Sequence, residues 1–411
     1  MEAKRGGAGC DSAAGEQMTI PITKPFFGAA ELEAVQKPLQ TGWVVQGPFV
    51  KDFEDRFSAF TAAAHSVATS SCTTALHIAM AALGLKPGDE VIVPAFTWVA
   101  TANVVEYMGA KPVFCDVDLA TFNVRTEVVD SLITSRTVGI IPVHLFGLCA
   151  DMDPILQTAT RHDLWVVEDA ACAFGGWYGG AHAGTLGDFG CFSFHPRKSI
   201  TTGEGGMITT ESAQHDTLCR SLRDHGASRS DLSRHTERAS FLLSDYDVLG
   251  FNFRMTDIQG ALGCAQIERA TWLLDRRRLL AERYDELLAD LDWLRTPKVA
   301  PGYVHGYQSY VCLFSPKAPT TGNVEELTNL RNAVMARLES SGIATRQGTH
   351  AAHLQGYYRE RYGLRSEDFP NAYFSDRLSL SLPLYAQMTD EEQATVVQEL
   401  KAAFAELPAR T

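Results

Sequence analysis

Lys198 follows a carboxylate and a serine within a short stretch rich in Gly, Ser and Thr. The stretch reads VVEDAACAFGG (166–176) and GDFGCFSFHPRKSITTGEGG (187–206). Asp169 ends one apolar, strand-like run, and Ser193 lies in a second. A lysine that forms a Schiff base, a carboxylate that pairs with a pyridinium nitrogen, and a hydroxyl that binds a phosphate are the groups that a pyridoxal phosphate (PLP) site requires. The order and setting of these residues therefore predict such a site.

Each of these residues also has an ordinary structural interpretation. Lys198 taken alone would be a surface lysine, and Ser193 could be a strand serine bonded to the backbone. Asp169 could be a solvated carboxylate, but the Ala-Ala-Cys-Ala that follows is too apolar for a typical exposed turn and favours burial against a cation. Cys172 could suggest thiol chemistry, although a small apolar role is the default for cysteine.

Three further features have a functional and a structural interpretation. The hydroxyl-rich SSCTT (70–74) precedes an apolar helix pattern, whose N-terminus would bind a dianion or simply carry a Thr cap. Trp98 follows a strand pattern, where its indole would stack on a cofactor ring or lie in the core. His350 and His353 are three residues apart, but no third ligand is near, so we expect a polar pair and no metal.

Composition excludes several classes of protein. The 411 residues carry a formal net charge of −13, which argues against a nucleic-acid-binding or anionic-membrane surface. Nine scattered cysteines without a C-x-x-C pair fit reduced thiols in the cytoplasm. Residues 1–18 lack the apolar core of a signal peptide and are interpreted as a disordered tail. No apolar run approaches the roughly 20 residues of a membrane span.

Strand and helix patterns alternate from residue 28 to about 210. The strand patterns cover 90–94, 112–116, 138–145, 164–168 and 191–194, and the helix patterns cover 29–40, 50–60, 74–83, 98–108 and 153–161. This alternation predicts an α/β layer with a largely parallel sheet. Ligands of such sheets bind at loops after the carboxyl ends of strands, where Asp169, Lys198 and the 70–74 turn are expected.

The pattern changes near residue 265. A long charged helix pattern covers 266–290, and the rest is a smaller α+β segment that ends in an amphipathic helix at 390–404. We therefore expect a large domain over 19–270 and a small C-terminal domain over 271–411.

Beyond these residues, the chain resembles the DegT/DnrJ/EryC1/StrS family of fold-type I PLP enzymes, which are mostly sugar aminotransferases. The likeness covers nearly the whole sequence. Among the segments that carry it are KPFFGAAELEAV, VPAFTWVATANVVEYMGAKPVFCDVD, GFNFRMTDIQGALGCAQIER and SLSLPLYAQMTDEE. The resemblance implies the aspartate aminotransferase-like fold: a large PLP-binding domain with a mixed, mostly parallel sheet, and a smaller α+β domain.

The resemblance also implies roles for the residues that start the argument. Lys198 matches the lysine that forms the Schiff base and later moves the proton, and Asp169 matches the pyridinium partner. Cys172 is a departure, because the family often carries Gln or His there to bond the ring oxygen, and a thiol is a weaker partner. Lys198 in place of histidine argues against the dehydratase branch of the family.

Further cofactor contacts follow from the same resemblance. Ser193, Cys72 and Thr73 match phosphate-binding positions, with Cys72 replacing a residue that is often glycine. Trp98 falls where the family stacks an aromatic ring on PLP. Asn252 matches an asparagine that reaches the phosphate from the neighbouring subunit, which implies an obligate homodimer with composite sites.

The implied activity is a ping-pong amino transfer. Glutamate or glutamine converts PLP to pyridoxamine phosphate (PMP), and a nucleotide-linked keto-deoxysugar then takes the amino group. The candidate substrate contacts, from their position near family substrate loops, are Arg254, His305, Tyr310 and His350. Two alternatives stay open: a cyclitol aminotransferase that uses glutamine, and a regulatory or scaffold protein that keeps the fold without turnover. The sugar, the carbon and the donor are not determined by any motif.

Overall fold

The computed structural model describes residues 19–229 and 244–407, so the tail predicted at 1–18 lies outside the described residues. Within the described ranges, no helix has the length and apolar character needed to cross a membrane. The α-helices of these ranges are α1 Ala29–Thr41, α2 Pro48–Thr61, α3 Cys72–Ala82, α4 Ala100–Tyr107, α5 Thr126–Val129, α6 Met152–His162, α7 Ala213–Arg223, α8 Asp257–Glu268, α9 Ala270–Leu287, α10 Val324–Ser340, α11 Gly356–Tyr362, α12 Pro370–Leu378 and α13 Asp390–Ala405.

The strands of the same ranges are β1 His65–Thr69, β2 Glu90–Pro94, β3 Phe96–Thr97, β4 Lys111–Cys115, β5 Thr137–Ile140, β6 Trp165–Asp169, β7 Trp177–Tyr178, β8 Ala181–His182, β9 Phe189–Ser193, β10 Gly206–Thr210, β11 Leu294–Arg295, β12 Tyr303–Val304, β13 Tyr310–Phe314, β14 His350–Ala351 and β15 Ser379–Leu382.

A seven-stranded sheet in the order β1-β10-β9-β6-β5-β2-β4 forms the centre of the fold. β10 runs antiparallel to both of its neighbours, β1 and β9. The remaining pairs, from β9 through β6, β5 and β2 to β4, are parallel. The structure thus confirms the predicted mixed, mostly parallel sheet of an α/β fold.

Apolar residues on both faces of the strands explain why the sheet lies between helices. Every residue of β2, with the sequence EVIVP, is buried. Successive side chains of a strand point to opposite faces. Accordingly, Val91 and Val93 belong to one core cluster and Ile92 to another. A strand buried on both faces is typical of parallel sheets covered by helices on each side.

A second, three-stranded antiparallel sheet, in the order β11-β13-β15, builds the core of the C-terminal part. Side chains of α9, α10 and α13 pack on it in a separate apolar cluster, which includes Tyr284, Val334 and Leu400. Ile20 joins this cluster and bonds through its backbone to Gly342 and Ala344. The start of the described chain therefore packs with the C-terminal core, and the predicted division at residue 270 stays a proposal.

Several predicted boundaries are wrong for local reasons. The helix predicted at 98–108 begins at Ala100, because the chain stays extended through Thr97, where β3 pairs with β14. The strand predicted at 138–145 ends at Ile140, and the 3-10 turn Leu145–Gly147 follows shortly afterwards. The helix predicted at 266–290 is two helices, α8 and α9, that break at Arg269.

Two strands of the central sheet have no counterpart among the predicted elements. β1 (HSVAT) and β10 (GMITT) are short and rich in small or polar residues, so they show no clear apolar pattern. Both are buried all the same, since β10 inserts between β1 and β9. β10 brings Gly206 opposite Thr69 on one side and Ser193 on the other.

Gly206 lets β10 approach the start of α3. A Cβ atom at Gly206 would lie 2.4 Å from the carbonyl carbon and oxygen of Ser71 and 2.6 Å from the nitrogen of Cys72. We expect Gly206→Ala to lower the free energy of unfolding by about 1–3 kcal/mol, since backbone atoms there have nowhere to move. Thermal unfolding measures the effect. Gly356→Ala is the matched control, because nothing lies within 4 Å of its Cβ position, and it should change the midpoint little.

Candidate active site

The candidate site lies where the carboxyl ends of β6 and β9 meet the start of α3. Asp169 is the last residue of β6, and Ser193 is the last residue of β9. Lys198 follows in the loop that leads to β10, and Ser71 caps α3 beside Gly206. The sheet therefore brings together the residues that the sequence analysis placed at strand ends.

Lys198 points into a crevice and contacts a thiol. Its Nζ donates a hydrogen bond to Cys172 Sγ at 3.1 Å, and its backbone nitrogen donates to His195 at 2.8 Å. Burial favours the neutral amine, but Cys172, which accepts a hydrogen bond from Nζ, and the charge of Asp169 favour the ammonium form, so that the pKa of Lys198 is raised above its ordinary value. The side chain is thus held as an ammonium group near the Cys172 sulfur and the Asp169 carboxylate.

Asp169 is a buried carboxylate, only 5% exposed. Its Oδ2 accepts a hydrogen bond from Thr101 Oγ1 at 2.7 Å, and its Oδ1 accepts one from the backbone nitrogen of Ala171 at 3.2 Å. Burial raises the pKa of Asp169, and these hydrogen bonds together with Lys198 oppose the rise. A carboxylate in this situation is stabilised by a nearby cation, which is what a protonated ring nitrogen provides.

Glu168 supports Asp169 from the opposite face of β6, and the sequence analysis did not identify it. Its two oxygens accept hydrogen bonds from three backbone N–H groups of the 184–187 turn, each at 2.7 Å. Oε2 also accepts from His144 Nε2 at 2.7 Å. The nitrogen of Ala150 donates to His144 Nδ1, so the ring proton lies on Nε2. A glutamate inside the apolar VVED strand was the signal for this buried network.

The residues predicted to bind a phosphate, Cys72 and Thr73, lie at the start of α3. Ser71 caps the helix by accepting a hydrogen bond from Thr74, so Cys72 and Thr73 are the first helical residues and are partly exposed. Cys72 Sγ donates to the carbonyl oxygen of Cys191 at 3.5 Å. Burial and then the charge of Asp169 raise the pKa of the Cys72 thiol well above its usual range, so the thiol stays neutral. The predicted helix start at residue 74 is wrong by two residues, because Ser71 caps the helix and Cys72 is its first residue.

The residues present fit PLP. The Asp169 carboxylate is buried beside Lys198, and a buried carboxylate of this kind suits a pyridinium N–H. Ser199 Oγ, next to Lys198, is buried and lacks a hydrogen-bond partner among the described residues. The uncapped N–H groups of α3 suit a phosphate dianion. PLP would offer a pyridinium N–H to Asp169, oxygen acceptors to Ser199 and a phosphate to the N–H groups of α3.

Trp98 and His350 lie together at one edge of the site. Trp98 is 61% exposed and precedes α4, so its indole face is open. Its ring centroid is 5.9 Å from that of His350. The pairing of β14 with β3 sets His350 opposite Thr97, which fixes this neighbourhood. The structure therefore brings one predicted substrate residue beside the predicted stacking residue.

The segment that contains Asn252 and Arg254 runs past the 70–74 turn. The nitrogen of Ser70 donates to the carbonyl oxygen of Phe253 at 2.9 Å. Arg254 forms an ion pair with Asp224, and Asn252 is exposed. Within the described part of one chain, Asn252 makes no contact with Lys198, and Arg254 already has a carboxylate partner.

Two predicted substrate contacts, His305 and Tyr310, lie inside the protein. His305 is stacked on Tyr307, whose nitrogen donates to its Nδ1, and burial followed by Arg278 lowers the pKa of His305 to about 3. Tyr310 is completely buried, and its hydroxyl donates a hydrogen bond to Asp285. Both side chains are thus buried in the described chain, and the structure does not bring them to Lys198.

Comparison with known proteins identifies one family. The family model described as the DegT/DnrJ/EryC1/StrS aminotransferase family matches residues 26–401. The spore coat polysaccharide biosynthesis protein SpsC from Bacillus subtilis is 36% identical over 382 residues, which cover 93% of this chain and 96% of SpsC. An uncharacterised protein from Methanocaldococcus jannaschii is also 36% identical, over 94% of this chain and 98% of its own.

Solved structures with a similar fold include aminotransferases. The aminotransferase TlmJ from Streptoalloteichus hindustanus has a TM-score of 0.85 and 31% identity, covering 95% of this chain and 100% of TlmJ. Spr1654 from Streptococcus pneumoniae, for which a sugar aminotransferase activity has been proposed, has a TM-score of 0.86 and 28% identity in its PMP form, covering 94% and 99%. It has also been solved in a PLP form.

The hydrogen bond from Thr101 should support cofactor binding through Asp169. Thr101→Val removes this bond but keeps the shape of the side chain. Hydrogen bonds to charged groups contribute about 1.5–3 kcal/mol, so the dissociation constant of PLP should rise about tenfold or more. Fluorescence titration of the apoprotein with PLP measures it.

Thr97→Val is the matched control for Thr101→Val. Thr97 Oγ1 lies 3.1 Å from Thr101 Oγ1, and no bond joins it to Asp169. Equal losses of PLP affinity in both variants would mean that the Asp169 contact is not the cause.

Proposed function

The chain belongs to the DegT/DnrJ/EryC1/StrS aminotransferase family, and from this premise we propose that it transfers an amino group from L-glutamate or glutamine to a nucleotide-linked keto-deoxysugar. It is a PLP-dependent aminotransferase of fold type I. The observation that carries the proposal is the Lys198 amine in one crevice with the buried Asp169 carboxylate, at the carboxyl ends of the sheet. The non-enzymatic alternative is not retained.

Lys198 and Asp169 divide the proposed chemistry. PLP, when bound, supplies an electron sink for the carbon that carries the amino group. Asp169 keeps a proton on the ring nitrogen, because its buried charge is stabilised by that proton. Lys198 Nζ would hold the cofactor and would move a proton at the donor carbon, which is general acid–base catalysis over a short distance.

Other side chains bind and orient the cofactor in this proposal. The backbone N–H groups of Cys72 and Thr73 and the hydroxyl of Ser193 hold the phosphate at the start of α3. Trp98 covers one face of the ring. Cys172, whose Sγ lies 3.1 Å from Lys198 Nζ, would be the side chain offered to the ring oxygen, and a thiol is a weak partner there.

The sugar acceptor is supported by the relatives and by the open edge of the site. SpsC, at 36% identity, is a protein of spore coat polysaccharide biosynthesis. Trp98 and His350 present an exposed aromatic surface, of the kind that packs against a sugar ring. After the donor leaves, the acceptor occupies the same crevice, which gives a ping-pong order.

The visible spectrum of the PLP-loaded protein tests the donor half of this proposal. We expect an absorption band from covalently bound cofactor that is lost when L-glutamate or glutamine is added, because the cofactor leaves the lysine as PMP. Lys198→Ala should still bind PLP noncovalently but show no such band. A band unaffected by both donors would contradict the proposed amino donors. Lys198→Arg, which keeps the positive charge without the reactive amine, should behave as Lys198→Ala does.

We also propose that the enzyme is a homodimer located in the cytoplasm. Large apolar side chains stand exposed near Asn252, among them Tyr246 and Leu249, the latter 92% exposed. Exposed apolar residues of this kind are typical of a subunit interface. Asn252 would then reach the phosphate of the neighbouring site. The eight cysteines among the described residues are free, as expected of cytoplasmic thiols.

A heterodimer of Lys198→Ala and Asn252→Ala subunits, purified through two different tags, tests the composite site. One of its two sites receives an intact Lys198 from one subunit and an intact Asn252 from the other. Its activity should be about half that of the wild-type dimer, well above either mutant homodimer. If each site were complete within one chain, the heterodimer would have only about half the activity of the Asn252→Ala homodimer.

A further inference from the structure

Gln308 reaches from the loop between β12 and β13 to the peptide bond that precedes Lys198. Its side-chain nitrogen Nε2 donates a hydrogen bond to the carbonyl oxygen of Arg197 at 2.8 Å. The nitrogen of the same peptide bond, which belongs to Lys198, donates to the carbonyl oxygen of His195 at 2.8 Å. Both polar groups of this peptide bond are therefore paired, one inside the Lys198 loop (residues 194–205, between β9 and β10) and one with a residue 111 positions further along the chain.

A second glutamine holds the same loop on the other side of Lys198. Gln266, a residue of α8, accepts a hydrogen bond at its Oε1 from the nitrogen of Thr201 at 3.3 Å. Gln266 is buried, and its Nε2 donates to the carbonyl oxygen of Phe26 at 2.9 Å. The backbone at Lys198 thus lies between two anchors from different parts of the chain, and its freedom to move is limited on both sides.

The loop that carries Gln308 is held in a costly conformation. Tyr307, the preceding residue, has a φ of 42°, in the left-handed region that residues other than glycine seldom occupy. Its nitrogen donates to His305 Nδ1 at 2.8 Å, and the two rings stack with their centroids 3.9 Å apart. A conformation of this kind persists only where the surrounding contacts determine it, and such conformations cluster at functional sites.

Arg277 provides contacts that fix this loop. Its side chain is buried, and its Nη1 donates to the carbonyl oxygens of Tyr307 at 3.2 Å and of Gln308 at 3.1 Å. Burial lowers the pKa of the Arg277 guanidinium to about 10, so the group is still charged at neutral pH and donates charge-assisted hydrogen bonds. Water competes for the carbonyl oxygen of the exposed Arg197. Because the backbone of Gln308 is already fixed, only its side chain has to be ordered to bind there.

We propose that Gln308 is a positioning residue for Lys198, because its amide fixes the peptide bond before the lysine and so keeps Nζ directed into the crevice. This inference rests on the proposed function, in which Lys198 holds the cofactor. A side chain reacts faster when its backbone is held in the reactive geometry, since less freedom is lost on the way to reaction. The stacked rings of His305 and Tyr307 then have a role as well, because they shape the loop that carries Gln308.

The rate at which PLP becomes covalently attached to the apoprotein tests this role, with the absorption band of the bound cofactor followed by stopped flow. Gln308→Met keeps the length of the side chain and removes the donor. Attachment should therefore slow about two- to tenfold, as expected for the loss of one neutral hydrogen bond. Amide exchange within the Lys198 loop of the apoprotein, followed by mass spectrometry, should accelerate by a similar factor, because one anchor of the loop is lost.

The Lys198→Ala background separates a positioning role from a general effect on the site. There, Gln308→Met should leave the dissociation constant of noncovalently bound PLP unchanged, because the lysine that Gln308 positions is gone. Asn371→Leu is the matched control in the wild-type background. Asn371 is half-buried, as Gln308 is, and its Nδ2 donates to the carbonyl oxygen of Val117 at 2.9 Å, so this variant loses the same kind of bond elsewhere.

Attachment that is as fast in Gln308→Met as in wild type would overturn the proposal. An equal loss in Asn371→Leu, or weaker binding of PLP in the Lys198→Ala background, would also overturn it, since either result would mean a general effect on the fold. Wild type that shows no band of covalently bound cofactor would contradict the proposed function instead. Equal thermal midpoints of Gln308→Met and wild type would exclude unfolding as the cause of slower attachment.

Discussion

The burial of the Asp169 carboxylate is the constraint on which the rest of the site depends. Removing an ion from water costs several kcal/mol unless a partner compensates. Thr101 and the nitrogen of Ala171 provide part of that compensation, and they require α4 and the turn after β6 to pack against the strand end. The remaining part comes from a cation, first Lys198 and then the protonated ring of the cofactor. A buried acid at this place makes the crevice selective for a cationic ring.

Adjacent residues of one strand serve opposite purposes here. Asp169 faces the crevice, whereas Glu168 faces the other side of β6 and is saturated by His144 and the 184–187 turn. The alternation of side chains along a strand makes this separation automatic. Glu168 is hydrogen-bonded to His144 and to the 184–187 turn, and these bonds hold the end of β6 in place. The position of Asp169, the next residue, is therefore fixed as well. Because the end of β6 is held in this way, the Asp169 carboxylate can keep the same distance from Lys198 as the cofactor changes form.

The sequence predicts the parts of the fold that local patterns determine. The strand at Glu90–Pro94 and the positions of Asp169 and Lys198 at strand ends follow from apolar runs and the loops after them. β1 and β10 escaped prediction, since short strands such as GMITT are stabilised by neighbours far away in the chain. The segment SSCTT offers five hydroxyl or thiol side chains, and Ser71 is the one that caps α3. Its position depends on the close packing of Gly206 against Ser71, which no local pattern predicts.

The site residues show the same limit of local sequence patterns. Tyr310 sits in YVCLF, a strand buried along its whole length, so its aromatic ring belongs to a core that only the folded chain defines. Thr101 and Asp169, by contrast, are far apart in sequence, and the packing of α4 against the end of β6 brings them into contact. The buried charge of Asp169 and the hydroxyl that supports it thus come together only in the folded chain, and their contact cannot be identified from either local pattern.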